Sequence, residues 1–234
     1  MSSAVFIPGD IEPAVRYVQP VVAHLFQQSA ATEPLELEAR LGVMNGGKWT
    51  SGVSASFFHA TVEMLRAYEG WTRIQMEIDS HDYFYTAGNG KRVRTSIVFG
   101  AVPQVTHVEK VALGNRDVRV GSQPHDVRVS VKRETRVPPS ELPKLVAPDL
   151  VRIKKRTSFY MPLWRFDCTQ VWSGPTRSAA ESAQAAGQCT YELEVEFIGT
   201  NDEAVKATED YMSASVLLKA CSLFGYGLQR MTPV

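Results

Sequence analysis

The stretch YELEVEF at 191–197 alternates three glutamates, Glu192, Glu194 and Glu196, with Leu193, Val195 and Phe197. Strict alternation is the pattern of a β-strand with two unlike faces. Here one face carries only carboxylate. Like charges spaced about 7 Å apart along a strand repel one another, so something must neutralise the row. Other segments share the two-faced pattern. LELEARLG sets Glu36, Glu38 and Arg40 against Leu35, Leu37, Ala39 and Leu41. VRVSVKRE sets Arg128, Ser130, Lys132 and Glu134 against Val127, Val129 and Val131. VRIKKRTSF groups Arg152, Lys154, Arg156 and Ser158 opposite Val151 and Ile153, leaving Lys155 pointing outward. LWRFDCTQV groups Arg165, Asp167 and Thr169 opposite Trp164 and Phe166, and KRVRTSIVF groups Arg92, Arg94 and Ser96 opposite Val93 and Ile97.

A charged row is ordinarily a wet face, and a sandwich or helix-backed sheet with a charged surface would carry such rows. Their sorting argues otherwise. Carboxylates concentrate on two strands, and guanidinium or ammonium groups on three others. That suits a closed barrel with a polar lumen and an apolar exterior covered by helices.

The rest of the chain supplies those helices. One is expected near 11–28, with Pro13 near its start and Pro20 interrupting it. NGGKWTSG reads as a Gly-rich hinge before an amphipathic helix near 53–69, capped by Ser51 or Ser54. Strands are expected near 71–79, 81–86, 91–99, 104–113, 125–137, 150–160, 163–172 and 188–199, separated by turns at AGNG, ALGN, GSQPHD and PPSELPKLVAP. SGPTRSAAESAQAAGQ reads as a flexible loop, and a last helix is expected near 202–223, capped by Asn201 or Asp202. Phe57, Phe58, Tyr68, Phe159 and Trp164 are expected to pack on the barrel exterior. The fold class is α+β with an antiparallel sheet or barrel, in one domain spanning 1–234.

Composition narrows the function. The 25 basic and 25 acidic residues balance, so no whole-molecule field marks a duplex-DNA or membrane-surface binder. No apolar run reaches about 18 residues, so no membrane partner is expected, and no secretory signal is visible. Cys168, Cys189 and Cys221 form neither a disulfide framework nor a metal spacing, which fits a reducing compartment. His24, His59, His81, His107 and His125 are scattered, so zinc suits the chain less than Mg or Mn held by clustered glutamate oxygens. The basic rows suit a polyphosphate. Metal, Arg and Lys with carboxylates and no covalent nucleophile are the equipment for phosphoryl transfer to water.

ELEARLG at 36–42, VRVSVKRE at 127–134, VRIKKRTSF at 151–159, RFDCTQV at 165–171 and ELEVEF at 192–197, in that order, resemble the triphosphate tunnel metalloenzymes. The likeness is to their metal-dependent RNA 5′-triphosphatases of mRNA capping. It implies an eight-stranded antiparallel tunnel with flanking helices, which removes the γ-phosphate from triphosphate-ended RNA. It implies Glu36, Glu38 and Glu194 as metal ligands, with Glu134 and Glu192 orienting water, Glu134 accepting its proton and Glu196 supporting the cluster. Arg94, Lys154 and Arg156 would hold the transferred phosphate, while Lys110, Arg128, Lys132, Arg152, Arg165 and Asp167 would line and brace the tunnel. Cys168 would face outward. A nuclear site of action, or a cytoplasmic one for a viral chain, is implied, with an RNA guanylyltransferase as a partner and a homo-oligomer as a compatible assembly. The guanylyltransferase-binding extension of some relatives is not expected ahead of these motifs. The same fold also hydrolyses inorganic tripolyphosphate or nucleoside triphosphates, and some relatives are non-catalytic subunits that have lost the acidic strands.

Overall fold

The computed structural model describes residues 4–6, 10–27, 35–86, 90–141, 147–199 and 207–225. The period-two segments fold as strands that close on one another, because each has an apolar face needing cover and a charged face needing partners. The described strands are β1 (Ala4–Phe6), β2 (Leu35–Asn45), β3 (Lys48–Ser51), β4 (Arg73–Thr86), β5 (Arg92–Val98), β6 (Gln104–Val120), β7 (Asp126–Arg136), β8 (Leu150–Met161), β9 (Trp164–Gly174) and β10 (Thr190–Phe197). Around the barrel the order is β2, β7, β6, β5, β4, β8, β9, β10 and back to β2, every neighbour antiparallel. The short β1 adds parallel to β6, and β3 forms a hairpin with β2.

Helices α1 (Glu12–Val22), α2 (His24–Gln27), α3 (Ala55–Arg66), α4 (Arg177–Ala185) and α5 (Glu209–Ser222) lie outside. The Ser54 hydroxyl accepts from Phe57 N at the start of α3, and Thr176 and Thr208 cap α4 and α5 in the same way. The core sits between α1, α3, α5 and the outward face of the barrel. Leu37, Ala39, Val129, Phe166, Leu193 and Val195 are wholly buried there. Trp71 packs its ring 5.4 Å from Phe159 and 5.2 Å from Phe166, so Phe159 is an exterior packing residue as expected. Trp164 stacks edge-on to Phe197 at 5.5 Å, and Phe58 is buried in the same layer. Cys168 also faces out and is buried.

Several expectations change. The two strands read at 71–79 and 81–86 are one, β4, carrying a bulge between Gln75 and Ile78 with Glu77 at φ 50°. The turn read at ALGN is a bulge inside β6, which runs on to Val120. The hinge NGGKWTSG is the β2–β3 hairpin, and Pro20 stays within α1. The flexible loop at 173–188 contains α4, whose buried Ala180 packs on Val151 and Ile153. The proposed caps Asn201 and Asp202 lie outside the described residues; α5 starts at Glu209.

Candidate active site

The inward face of the barrel is charged from wall to wall. A lumen of about 280 Å³ is lined by six glutamates, 36, 38, 134, 192, 194 and 196, with Arg40, Arg94, Lys110, Arg152, Lys154, Arg156 and Arg165. Register brings them together. Glu194 lies opposite Arg40 on β2 and Asp167 on β9, and Glu196 lies opposite Glu38 and Arg165. Lys132 sits across from Glu36, and Lys110 across from Glu134.

The acidic row of β10 is tolerable because each carboxylate meets a cation from another strand. Arg152 Nη2 reaches Glu192 at 2.6 Å, Arg40 Nε reaches Glu194 at 2.6 Å, and Arg165 Nη2 reaches Glu196 at 2.5 Å. On β2, Lys110 holds Glu36 at 2.5 Å and Lys132 donates to Glu38. Glu109, next to Lys110 in the sequence, faces away and pairs with Lys91 at 2.7 Å.

Electrostatics separates the carboxylates. Burial pushes Glu38 up to about 7, aided by a hydrogen bond with Glu36 and by Glu194, against the pull of Arg40 and Lys132. Burial opposes ionisation of Glu194 too, but Arg40, Arg156, Lys154 and Lys132 surround it and hold it well below the usual carboxylate range. Glu134 is also raised by burial, and here Lys110 and Arg94 prevail and keep it below its ordinary value.

The cationic side is equally built. Burial pushes the Lys154 ammonium down to about 8; Asp82 opposes that shift and Arg152 and Arg156 reinforce it. Lys154 donates to Asp82, which also accepts from Ser96 Oγ at 2.7 Å. Arg156 is held by Asp167 at 3.0 Å and donates from Nε to Thr169 Oγ1 at 3.1 Å. Asp167, 1 % exposed, further accepts from Ser158 Oγ at 2.6 Å and pairs with Arg165 at 3.0 Å. Arg94 reaches Glu134 only at 3.4 Å, and its buried Nε has no hydrogen-bond partner among the described residues.

Every residue singled out from the sequence faces this interior except Arg128 and Lys132, which line its extension toward the β2–β3 hairpin, and Asp167, which is buried in the wall behind Arg156 and Arg165. Sequence reading missed Asp82, because a strand break placed at residue 80 separated it from Ser80, its neighbour on the same face of β4. It also gave Arg40 no role, although Arg40 joins the two acidic rows by contacting Glu38 at 3.3 Å and Glu194.

Among the described residues no three His, Cys, Asp or Glu side chains form a preformed cation cage. The donor set nonetheless fits a hard divalent ion. Glu36 lies beside Glu38, Glu194 adds its charge, and burial makes their mutual repulsion costly.

The sequence pattern of the family described as mRNA capping enzyme, beta chain, matches residues 50–216, starting after Glu36 and Glu38. A comparison with curated proteins finds no match. Among solved structures, the S. pombe Pct1 RNA triphosphatase is similar over 92% of this chain and 91% of its own, at 21% identity and a TM-score of 0.64. The same enzyme in complex with the Spt5 CTD is similar over 93% and 94%, at 20% identity and a TM-score of 0.64. The mimivirus capping enzyme triphosphatase is similar over 90% and 97%, at 15% identity and a TM-score of 0.58. Those likenesses are of fold.

Proposed function

Because the chain belongs to the family of the mRNA capping enzyme beta chain and is an RNA triphosphatase, we propose that its lumen removes the γ-phosphate of triphosphate-ended RNA with the residues named above. The observation that carries this assignment is the clamp of Arg94, Lys154 and Arg156 facing two glutamate rows inside a closed barrel. Lys154 and Arg156, fixed by the buried Asp82 and Asp167, together with Arg94 can bind the three equatorial oxygens of a γ-phosphate with little reorganisation. Arg94, whose printed contact is Glu134 at 3.4 Å, is the least tied of the three.

Glu36, Glu38 and Glu194 would hold Mg or Mn, which supplies positive charge to the phosphate oxygens when bound. Glu192 and Glu134 orient the attacking water, Glu134 from beside Glu36, with which it shares Lys110. Glu134 accepts its hydrogen bond and finally its proton; in a loose transition state that transfer comes late, so a carboxylate of low basicity serves. Arg165 and Asp167 keep Glu196 and Arg156 in place. Lys110 and Lys132 hold the β2 glutamates Glu36 and Glu38 in place. The diphosphate-ended RNA departs, the first step of cap synthesis. In this reading residues 1–234 form one catalytic domain. It acts in the nucleus, or in the cytoplasm if the chain is viral, and hands its product to an RNA guanylyltransferase.

The test is γ-phosphate release from triphosphate-ended RNA with Mg²⁺ or Mn²⁺, for the native chain beside Glu194→Ala. Metal-dependent release is expected, with the variant slower by at least on the order of 100-fold. No release with either ion, or a folded Glu194→Ala as active as the native chain, would overturn the assignment.

A further inference from the structure

Among the described residues, the lumen proper is lined by charged side chains alone. Toward the β2–β3 hairpin it opens, past Glu38 and Arg40, into a mouth of about 220 Å³ that has a different chemistry. Trp49 is the aromatic side chain in the described lining, beside Arg128, Asn115, Ser51 and Ser130. Three features put the indole there. Gly46 and Gly47, at φ 56° and 79°, make the two-residue turn that returns β3 along β2. Trp49 then pairs with Met44, on the face of β2 that carries Glu38, Arg40 and Gly42. Gly42 lacks the Cβ that would stand 2.5 Å from the ring.

The ring is also oriented. Its Nε1–H donates to Ser51 Oγ at 3.0 Å, and the Arg128 guanidinium carbon lies 4.6 Å from its centroid. Arg128 itself is locked by Asp117 through Nε at 2.6 Å and Nη2 at 2.9 Å. A guanidinium already neutralised by a bidentate carboxylate is a poor phosphate clamp. It is a good flat surface, and nucleobases stack on such planes and on indoles.

We infer that Trp49 and Arg128 form a stacking subsite for the first nucleobase of the triphosphate-ended strand, with Asn115 and Ser130 facing its polar edges. This rests on the reading of the lumen as the triphosphate site. Held at Arg94, Lys154 and Arg156, a triphosphate leads its nucleoside out past Arg40 and Glu38 into this mouth. The subsite gives the chain a preference for nucleotide-ended substrates that the charged lumen cannot provide, since tripolyphosphate would satisfy the lumen equally.

The experiment measures γ-phosphate release from two triphosphate-ended oligoribonucleotides, one intact and one abasic at its first position, by the native chain, Trp49→Phe and Trp49→Ala. Stacking predicts that loss of the base raises KM for the native chain roughly tenfold with kcat unchanged. Trp49→Ala should raise KM by a similar factor on the intact strand and show little further loss on the abasic one. Trp49→Phe should retain most of the difference. A native chain that releases phosphate from both strands with equal KM would overturn the subsite and leave the triphosphatase reading standing. So would a folded Trp49→Ala that still distinguishes the strands as the native chain does. No release from either strand by the native chain would overturn both.

Discussion

Lys154 illustrates how a single side chain ties the lumen's electrostatics to its pH response. It sits between Arg152 and Arg156 on one strand face, and its compensating carboxylate is Asp82 on β4. Burial and the two guanidinium groups press its pKa down to about 8, whereas an unfolded lysine titrates near about 10.4. The phosphate clamp needs the ammonium, so kcat/KM should fall as pH rises through about 8. The limb should lie higher in kcat, because a bound phosphate raises the same pKa. Stability should move the other way. Between about 8 and the unfolded value the unfolded chain binds more protons, so folding strengthens with rising pH there. Rates in Mg²⁺ across this range, for the native chain and Lys154→Arg, check the assignment. A native kcat/KM that stays flat through it, or a limb unchanged in an active Lys154→Arg, would remove Lys154 from the clamp.

At the scale of elements, legibility followed environment. Strands with a charged lumen side and a helix-covered outer side, such as β2, β7, β8 and β10, stand between two chemical phases and show it residue by residue. β4 does not. Ile74 and Met76 on it are exposed, its bulge inserts Glu77, and polar residues occupy both faces. The alternation that would have marked Asp82 is therefore lost. α4 was hidden for another reason: it is short, rich in Ala and Ser, and buries one residue, Ala180, over a glycine. A methyl on Gly174 would stand 2.6 Å from Ala180 N and 2.7 Å from Ala179 Cβ. Backbone cannot yield there as a long side chain could, so Gly174→Ala should cost about 1–3 kcal/mol. That lowers the melting temperature by roughly 2–4 °C per kcal/mol in a chain of this size. Hydrogen exchange of the α4 amides should accelerate with it. An unchanged melting temperature with unchanged exchange would mean that α4 does not seat on β9 through this contact.

For the whole molecule, closure of the barrel removes sheet edges and confines thirteen charged side chains to one interior. Seven are basic and six acidic, so the interior is close to neutral when every group is ionised. Near neutrality answers the repulsion posed by the sequence, yet it is uneven in space: Glu38, with Glu36 and Glu194 around it, is pushed to about 7 despite Lys132 and Arg40. A divalent ion across these carboxylates would relieve the strain in the folded chain and find no such cluster in the unfolded one. Selective binding of this kind stabilises by mass action, about 2.7 kcal/mol at one hundred times the dissociation constant. Titration with Mn²⁺ or Mg²⁺ should thus raise the melting temperature steadily with ion concentration, by roughly 5–10 °C at that excess. Simultaneous replacement of Glu36 and Glu38 by Gln should abolish the rise, because neutral amides are weak ligands and leave Lys110 and Lys132 without carboxylates to be displaced from. If the native chain melts at the same temperature with and without saturating divalent ion, these glutamates bind cationic side chains alone, and the phosphate clamp must work without a metal at this position.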